Sequence, residues 1–338
     1  MPTPASNGFV MPAEWERHSC TWMAWPCREE VWGEHLEAAQ AAYADVAKAI
    51  ADFEPVSMIC RPEDVAEASL ACGNGVEILP MPIDDSWVRD SGPTFVVDRK
   101  GRLAGVDWQF NAWGEKYLPY DQDAQVARRI LEHVGVERYE APFVLEGGAI
   151  HVDGEGTVLV TEECLLNPNR NPGMTRERME EYLRAYLGVE KVIWLARGLQ
   201  DDETDGHIDE VACFARPGVV LMMTTADKTD GNYDVMQENL ERLRAETDAK
   251  GRPLEIVELP QPARRDYPDG RRITLSYANF YMPNGGIIMP AFDAAEDRAA
   301  FRIMRDTFPD RTVIQIPASE IVWGGGGIHC ITQQQPAV

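Results

Sequence analysis

Cys330 follows four consecutive glycines, Gly324 to Gly327, with Ile328 and His329 between. A thiol attacks as its thiolate, and a neighbouring imidazolium lowers its pKa from a free value of about 8.5. A cysteine with a histidine at hand can therefore attack an electrophilic carbon and pass protons. The glycines let backbone approach a ligand closely. His207 and Asp209 stand two apart, a spacing that puts both on one side of an extended strand. The same alternation turns His329 away from Cys330, so a histidine distant in sequence is the better base. Carboxylates accompany these residues in three further stretches: Asp84-Asp85-Ser86-Trp87-Val88-Arg89-Asp90, Leu145-Glu146-Gly147-Gly148 and Asp201-Asp202-Glu203-Thr204-Asp205.

Other chemistries fit less well. The glycine run lacks the Lys-Ser/Thr that completes a phosphate loop. The histidines lack a zinc spacing and the aspartates a calcium-loop spacing, so no metal or cofactor is expected. The seven cysteines contain no C-x-x-C pair, which argues against a disulfide framework. Cys60, Cys72, Cys164 and Cys213 read as small core residues. His151 lies in an alternating strand and reads as structural. Trp15, Trp22, Trp25 and Trp32 read as core, whereas Trp87, lodged among acids, is balanced between core and ligand contact.

The elements that must position these residues repeat along the chain. Four hairpin patterns are expected, Gly92 to Phe110, Gly147 to Thr161, Ile208 to Thr225 and Tyr277 to Phe292. Their turn glycines, Gly101, Gly156, Gly218 and Gly286, recur at a period of roughly 60 residues. A helical pattern follows each: Asp121 to Val134, Thr175 to Leu187, Tyr233 to Asp248, and Asp293 to Phe308, the last opened by Asp293 and Glu296 at capping-box spacing. Short β-branched runs follow the last three, at Val192, Ile256 and Val313. Ahead of the first unit come a helix over Glu34 to Asp52, strands over Val56 to Cys60 and Val76 to Leu79, and a helix from near Pro62 between them. The chain ends too soon after Cys330 to complete a hairpin, and Ser19 to Trp25 can supply the missing strand. Five repeats of about 65 residues then make one α/β domain over residues 1–338, a five-bladed ring that protects its sheet edges. The start of each hairpin faces the axis, where the acids, His207 and Cys330 converge.

The chain carries 56 acidic against 32 basic residues, a formal net charge of −24. That balance disfavours nucleic acid and favours a cationic partner. There is no apolar signal segment and no apolar run near the ~20 residues that span a bilayer, so a cytoplasmic protein is expected, with no membrane partner. A homo-oligomer, a dimer, is expected.

Trp87-Val88-Arg89-Asp90-Ser91-Gly92-Pro93, Leu145-Glu146-Gly147-Gly148, Gly206-His207-Ile208-Asp209 and Gly325-Gly326-Gly327-Ile328-His329-Cys330 resemble the signature blocks of the agmatine deiminase family, in the bacterial-type peptidylarginine deiminase superfamily. The opening Met11-Pro12-Ala13-Glu14-Trp15-Glu16 and the Asn284-Gly285-Gly286 turn fit as well, so the resemblance runs from about residue 10 to the C-terminus. It implies the pentein fold, a five-bladed α/β propeller. It also implies metal-free hydrolysis of agmatine to N-carbamoylputrescine and ammonia, in putrescine and polyamine synthesis or agmatine catabolism. Position by position, Cys330 resembles the nucleophile that forms an amidino-thioether. His207 resembles the general acid and base, and Glu146 the acid that steadies it. Asp90 and Asp209 resemble the carboxylates that grip the guanidinium, and Trp87 lies along the substrate. Glu203 resembles the group that meets the distal ammonium. There the family more often has an aspartate, and an asparagine where this chain has Asp205, which makes Asp202 a rival for that contact.

Guanidinium is planar, charged near neutral pH and offers forked donors, so two carboxylates can hold its carbon in line for attack. Other readings are deimination of arginine, a methylated arginine or peptidyl-arginine, amidino transfer to an amine, and a non-catalytic pentein that binds a partner. An arginine site needs a cation for the substrate carboxylate, and only Arg89 offers one within the candidate segments. A binding module does not need Cys, His and paired acids at matching blade positions.

Overall fold

The computed structural model describes residues 2–338. Its strands fall into five sheets, and the first three follow the expected order of hairpin, helix and parallel strand. In the first unit Thr94–Asp98 pairs antiparallel with Leu103–Gln109, and after the helix Val126–Val134 the strand Glu137–Val144 returns parallel to Leu103–Gln109. Glu137–Val144 has no β-branched run; its charged residues alternate with Tyr139, Ala141 and Phe143, which are buried. His151–Val152, Thr157–Thr161, the helix Arg176–Leu187 and Lys191–Leu195 make the second unit. Ala212–Arg216, Val219–Thr224, the helix Tyr233–Ala245 and Glu255–Pro260 make the third.

Helix ends are set by local chemistry. Thr175 accepts a hydrogen bond from Arg178 N at the start of its helix, and Gly135 and Gly188 close theirs in the left-handed region that glycine adopts without strain. The third helix stops at Ala245, three residues before Asp248, because the Asp248 carboxylate accepts from Lys250 N and Arg252 N and closes a turn. The fourth begins at Asp297. The Asp293–Glu296 capping box does not form: Asp293 has φ 52°, and Asp297 instead takes the backbone donors of Phe292 and Ala294.

The fourth hairpin is reduced to one antiparallel bridge, Tyr281 to Ile288, beside Gly286–Ala291 and its parallel partner Thr312–Pro317. The residues expected to open it are held in a turn, with Ser276 Oγ accepting from Ala278 N. The fifth sheet joins the two ends of the chain. Gln333–Pro336 pairs antiparallel with His18–Ala24, which runs parallel to Val56–Cys60 beyond the helix Leu36–Ala51, and Val76–Pro80 adds an outer strand. The architecture is thus the five-bladed α/β arrangement expected. Trp22, Trp25 and Trp32 are buried, as read, and Trp15 is half-buried. Among the described residues no helix is long and apolar enough to cross a membrane.

Candidate active site

Each blade enters its first strand through a tight turn, not through an extended strand start. Val88–Ser91 is a single helical turn, Gly147–Ala149 and Ile208–Glu210 are 3-10 turns, Cys330 lies in a turn, and Asn279 follows the turn at Tyr277 and Ala278. His207 and Asp209 are therefore not brought together by strand alternation. They converge because the 3-10 turn folds Asp209 back, and both lie against Gly148 of the neighbouring blade.

All five blade starts meet directly. Gly148 N donates to Asp90 Oδ1 at 2.9 Å, Asn279 Nδ2 donates to Cys330 Sγ at 3.1 Å, and Cys330 Sγ lies 3.7 Å from Asp209 Oδ2. A Cβ on Gly148 would fall 2.5 Å from His207 Nδ1 and 3.0 Å from carboxylate oxygens of both Asp90 and Asp209. Only glycine leaves room for the three side chains here. Gly326 plays the same part beside Cys330, where a Cβ would meet the Trp87 ring at 2.7 Å and Sγ at 3.2 Å.

His207 is fully buried between Asp90 (Nδ1 to Oδ2, 3.8 Å) and Glu146 (Nε2 to Oε2, 3.8 Å). Among the described residues neither ring nitrogen has a hydrogen-bond partner. Burial opposes its charge, but Asp90, Cys164 and Glu146 outweigh that and hold its pKa well above the ordinary value. Glu146 accepts from Arg170 Nε at 2.6 Å. Against burial, Arg170 and His207 hold Glu146 down to about 2.

Asp90 and Asp209 each keep acceptor capacity free. Trp113 Nε1 donates to Asp90 Oδ2 at 2.9 Å. Burial, and repulsion from Asp209 and Glu146 over the attraction of His207, raise the Asp90 pKa. On Asp209, Oδ2 is bonded to His329 Nδ1 at 2.7 Å while the buried Oδ1 has no partner among the described residues. His329 Nε2 in turn meets Glu14 Oε2 at 2.9 Å. With a carboxylate on both ring nitrogens His329 is an imidazolium, and despite burial it keeps the Asp209 pKa low. Both ring nitrogens of His329 are taken, by Asp209 and Glu14, and it reaches the sulfur only through the shared Asp209 Oδ2, so it is not the direct base of Cys330. Burial, then Asp209, Glu210 and Asp90, push the Cys330 thiol pKa well up.

Cys330, Asp90, Trp87 and Trp113 line a narrow slot whose mouth carries Tyr117 and Glu203. None of the lining residues is basic. Trp87 stacks on Trp32 with ring centroids 5.6 Å apart, joining core to slot. Glu203 pairs with Arg271 and accepts from Tyr117 OH at 3.4 Å. Asp202 is spent within its own turn, on Thr204 N, Thr204 Oγ1 and Gly206 N. Arg89 donates away from the slot, to His329 O and Gln334 Oε1. Three clusters place possible metal-ligand atoms within 4.8 Å of one another, Glu14–His151–His329, Glu146–Cys164–His207 and Asp209–Glu210–Cys330. All belong to or adjoin this apparatus. Cys164, read as plain core, lies against His207, while His151 accepts from Phe214 N, a structural role.

The model of Porphyromonas-type peptidyl-arginine deiminases matches residues 10–336. The chain belongs to that family. It is 49% identical to the agmatine deiminase of Stutzerimonas stutzeri, over 99% of this chain and 97% of the relative, and 49% identical to that of Pseudomonas aeruginosa with the same coverage. The structure of Enterococcus faecalis agmatine deiminase superposes with a TM-score of 0.96 at 40% identity, covering 100% of this chain and 98% of that one. The two chains share the fold over nearly their whole length.

Sequence reasoning did not single out Arg170, Trp113, Glu210 or the Glu14–His329 pair. Glu14 stands in the Met11 to Glu16 block and Asn279 at a blade start, so both were marked by position without a role. Arg170 and Trp113 sit in irregular segments with no periodicity to flag them.

Proposed function

We propose that this protein is an agmatine deiminase, hydrolysing the guanidinium of agmatine to give N-carbamoylputrescine and ammonia. One observation carries the reading: Cys330 and the Asp90 carboxylate line a slot without a basic lining residue and with Glu203 at its mouth, and His207 and Asp209, whose Oδ1 is unpartnered among the described residues, pack against Asp90 and Cys330 directly behind it. Relatives nearly half identical over the full chain carry that name.

The guanidinium seats between Asp90 and Asp209, each accepting forked N–H donors, which fixes the carbon beside Sγ. Its charge offsets the carboxylates that keep Cys330 protonated, and the thiol gives up its proton to solvent. The thiolate attacks the carbon; the C–S bond forms, a C–N bond breaks, and His207 protonates the departing ammonia. His207, now neutral and steadied by Glu146, takes a proton from water as it attacks the amidino carbon. The C–S bond breaks, the thiolate is restored and the ureido product leaves. Trp87 lies along the methylene chain, and Glu203 takes the distal ammonium, a part Asp202 is too occupied to play. The reading needs no cofactor. It includes one domain over residues 1–338 and assembly as a homodimer.

Ammonia release from agmatine, arginine and a peptidyl-arginine at equal concentration tests the substrate, with agmatine expected to dominate. Cys330→Ser should abolish release without loss of folding; turnover like the wild type would overturn the assignment.

A further inference from the structure

Asn279 opens the fourth blade, and its side chain is fully buried. Two backbone donors fix how the carboxamide is turned. His329 N lies 2.8 Å and Cys330 N 3.4 Å from Oδ1, so the oxygen must face them and the amino group must face the sulfur, at 3.1 Å. A Cβ on Gly327 would stand 2.4 Å from that oxygen, so the last glycine of the run makes room for this amide.

The other side-chain groups bonded to Sγ, Asp209 at 3.7 Å and Glu210 at 3.8 Å, are carboxylates. Asp209, kept ionised by His329, can only accept and so serves the thiol; the Asn279 amino group makes the shortest contact to sulfur, can only donate, and so serves the thiolate. Taking Cys330 as the nucleophile of the reaction proposed above, we propose that Asn279 is a further catalytic residue whose Nδ2–H stabilises the Cys330 thiolate. The bond is present when the thiolate forms, weakens as the sulfur lone pair becomes the C–S bond, and is remade when that electron pair returns to sulfur on hydrolysis.

Loss of a hydrogen bond to a charged group should move the thiol titration up by about one to two pH units, about ten- to hundredfold less thiolate at a fixed pH. The test measures alkylation of Cys330 by iodoacetamide against pH, read by peptide mass spectrometry, in Asn279→Ala and Asn279→Asp. Asn279→Asp keeps the shape and the oxygen that receives His329 N and Cys330 N, and replaces the donor at sulfur by an acceptor. The expected result is an upward shift in both variants, with kcat down by about ten- to hundredfold and KM within about threefold. A purely structural role would leave Asn279→Asp like the wild type, and an unshifted alkylation profile in that variant overturns the inference, even should Asn279→Ala not fold. Cys330→Ser separates the two readings: turnover by that variant removes the nucleophile, whereas a dead Cys330→Ser with an unshifted Asn279→Asp removes only the role of Asn279.

Discussion

Gly148→Ala should disable catalysis while leaving the fold in place. Gly148 does not lie in the left-handed region, so alanine fits the backbone and the penalty comes from the methyl group alone. That methyl would stand 2.5 Å from His207 Nδ1, and ordinary contact begins at 3.4 Å, so the ring or the turn has to retreat by about 0.9 Å. Asp90 and Asp209, each at 3.0 Å, must also give way, and the 2.9 Å bond from Gly148 N to Asp90 is disturbed with them. A misplacement of about 1 Å at reacting groups costs about 100-fold. Here the proposed acid-base residue and both proposed guanidinium clamps are touched, so kcat/KM should fall by about 100- to 1,000-fold. Stability should drop by only about 1–3 kcal/mol, the usual cost of overpacking. Ammonia release and thermal melting measure the two effects. Gly251→Ala is the control for backbone strain: φ is +78° with nothing within 4 Å of the added Cβ, and its activity should match the wild type. A folded Gly148→Ala enzyme retaining kcat/KM within about threefold of wild type would refute the packing argument.

Arg170→Gln removes the charge that holds Glu146 down to about 2. The acid limb of the kcat/KM profile should therefore move to higher pH, a shift read directly from rates; an unmoved limb would dissociate Glu146 from the protonation of His207. Because folding lowers the Glu146 pKa from 4.5, its contribution to stability is complete above about pH 4.5 and is lost as pH falls toward about 2. Denaturant melts of the wild type should show that slope, and Arg170→Gln should flatten it while losing about 3–5 kcal/mol from the broken buried pair. Glu203→Gln should raise KM for agmatine by about tenfold with little change in kcat, and should leave n-butylguanidine, which lacks the distal charge, unaffected. Equal losses on both substrates would remove Glu203 from the tail contact. With a net charge of −24, kcat/KM for the agmatine dication should fall with added salt more steeply than for the butylguanidine monocation; parallel slopes would count against electrostatic steering.

The repeats were legible because hairpin turns and β-branched returns leave local marks. Gly101, Gly156 and Gly218 flag their turns, and Gly135 and Gly188 stop their helices by backbone freedom that needs no tertiary context. The axis was legible only in outline. A three-residue 3-10 turn such as Ile208–Glu210 is too short for any periodicity to register, so strand alternation was the wrong geometry for His207 and Asp209 although both converge on Gly148. The same limit hid the loss of the fourth hairpin, where Asn279 is held by the backbone of His329 and Cys330 from another blade. Arg170 was invisible for a further reason: its pairing with Glu146 and Asp205 is purely tertiary, and the Asn167 to Pro172 loop around it reads as an ordinary turn.

The ionisation pattern at the axis argues for a cationic substrate independently of any relative. Glu146 has Arg170, and Asp209 and Glu14 share His329, so these acids are compensated within the protein. Asp90 has only the attraction of His207, which it shares with Glu146, and Glu210 has no ion pair among the described residues; burial raises both, and repulsion from Asp209 adds to it. The same deficit of positive charge keeps Cys330 protonated. A neutral ligand would leave the nucleophile inactive, and an anion would oppose every uncompensated acid. A guanidinium between Asp90 and Asp209 instead supplies the missing charge at the atom to be attacked, so the group that is recognised also favours the thiolate that reacts with it. Selectivity and activation are then one electrostatic event.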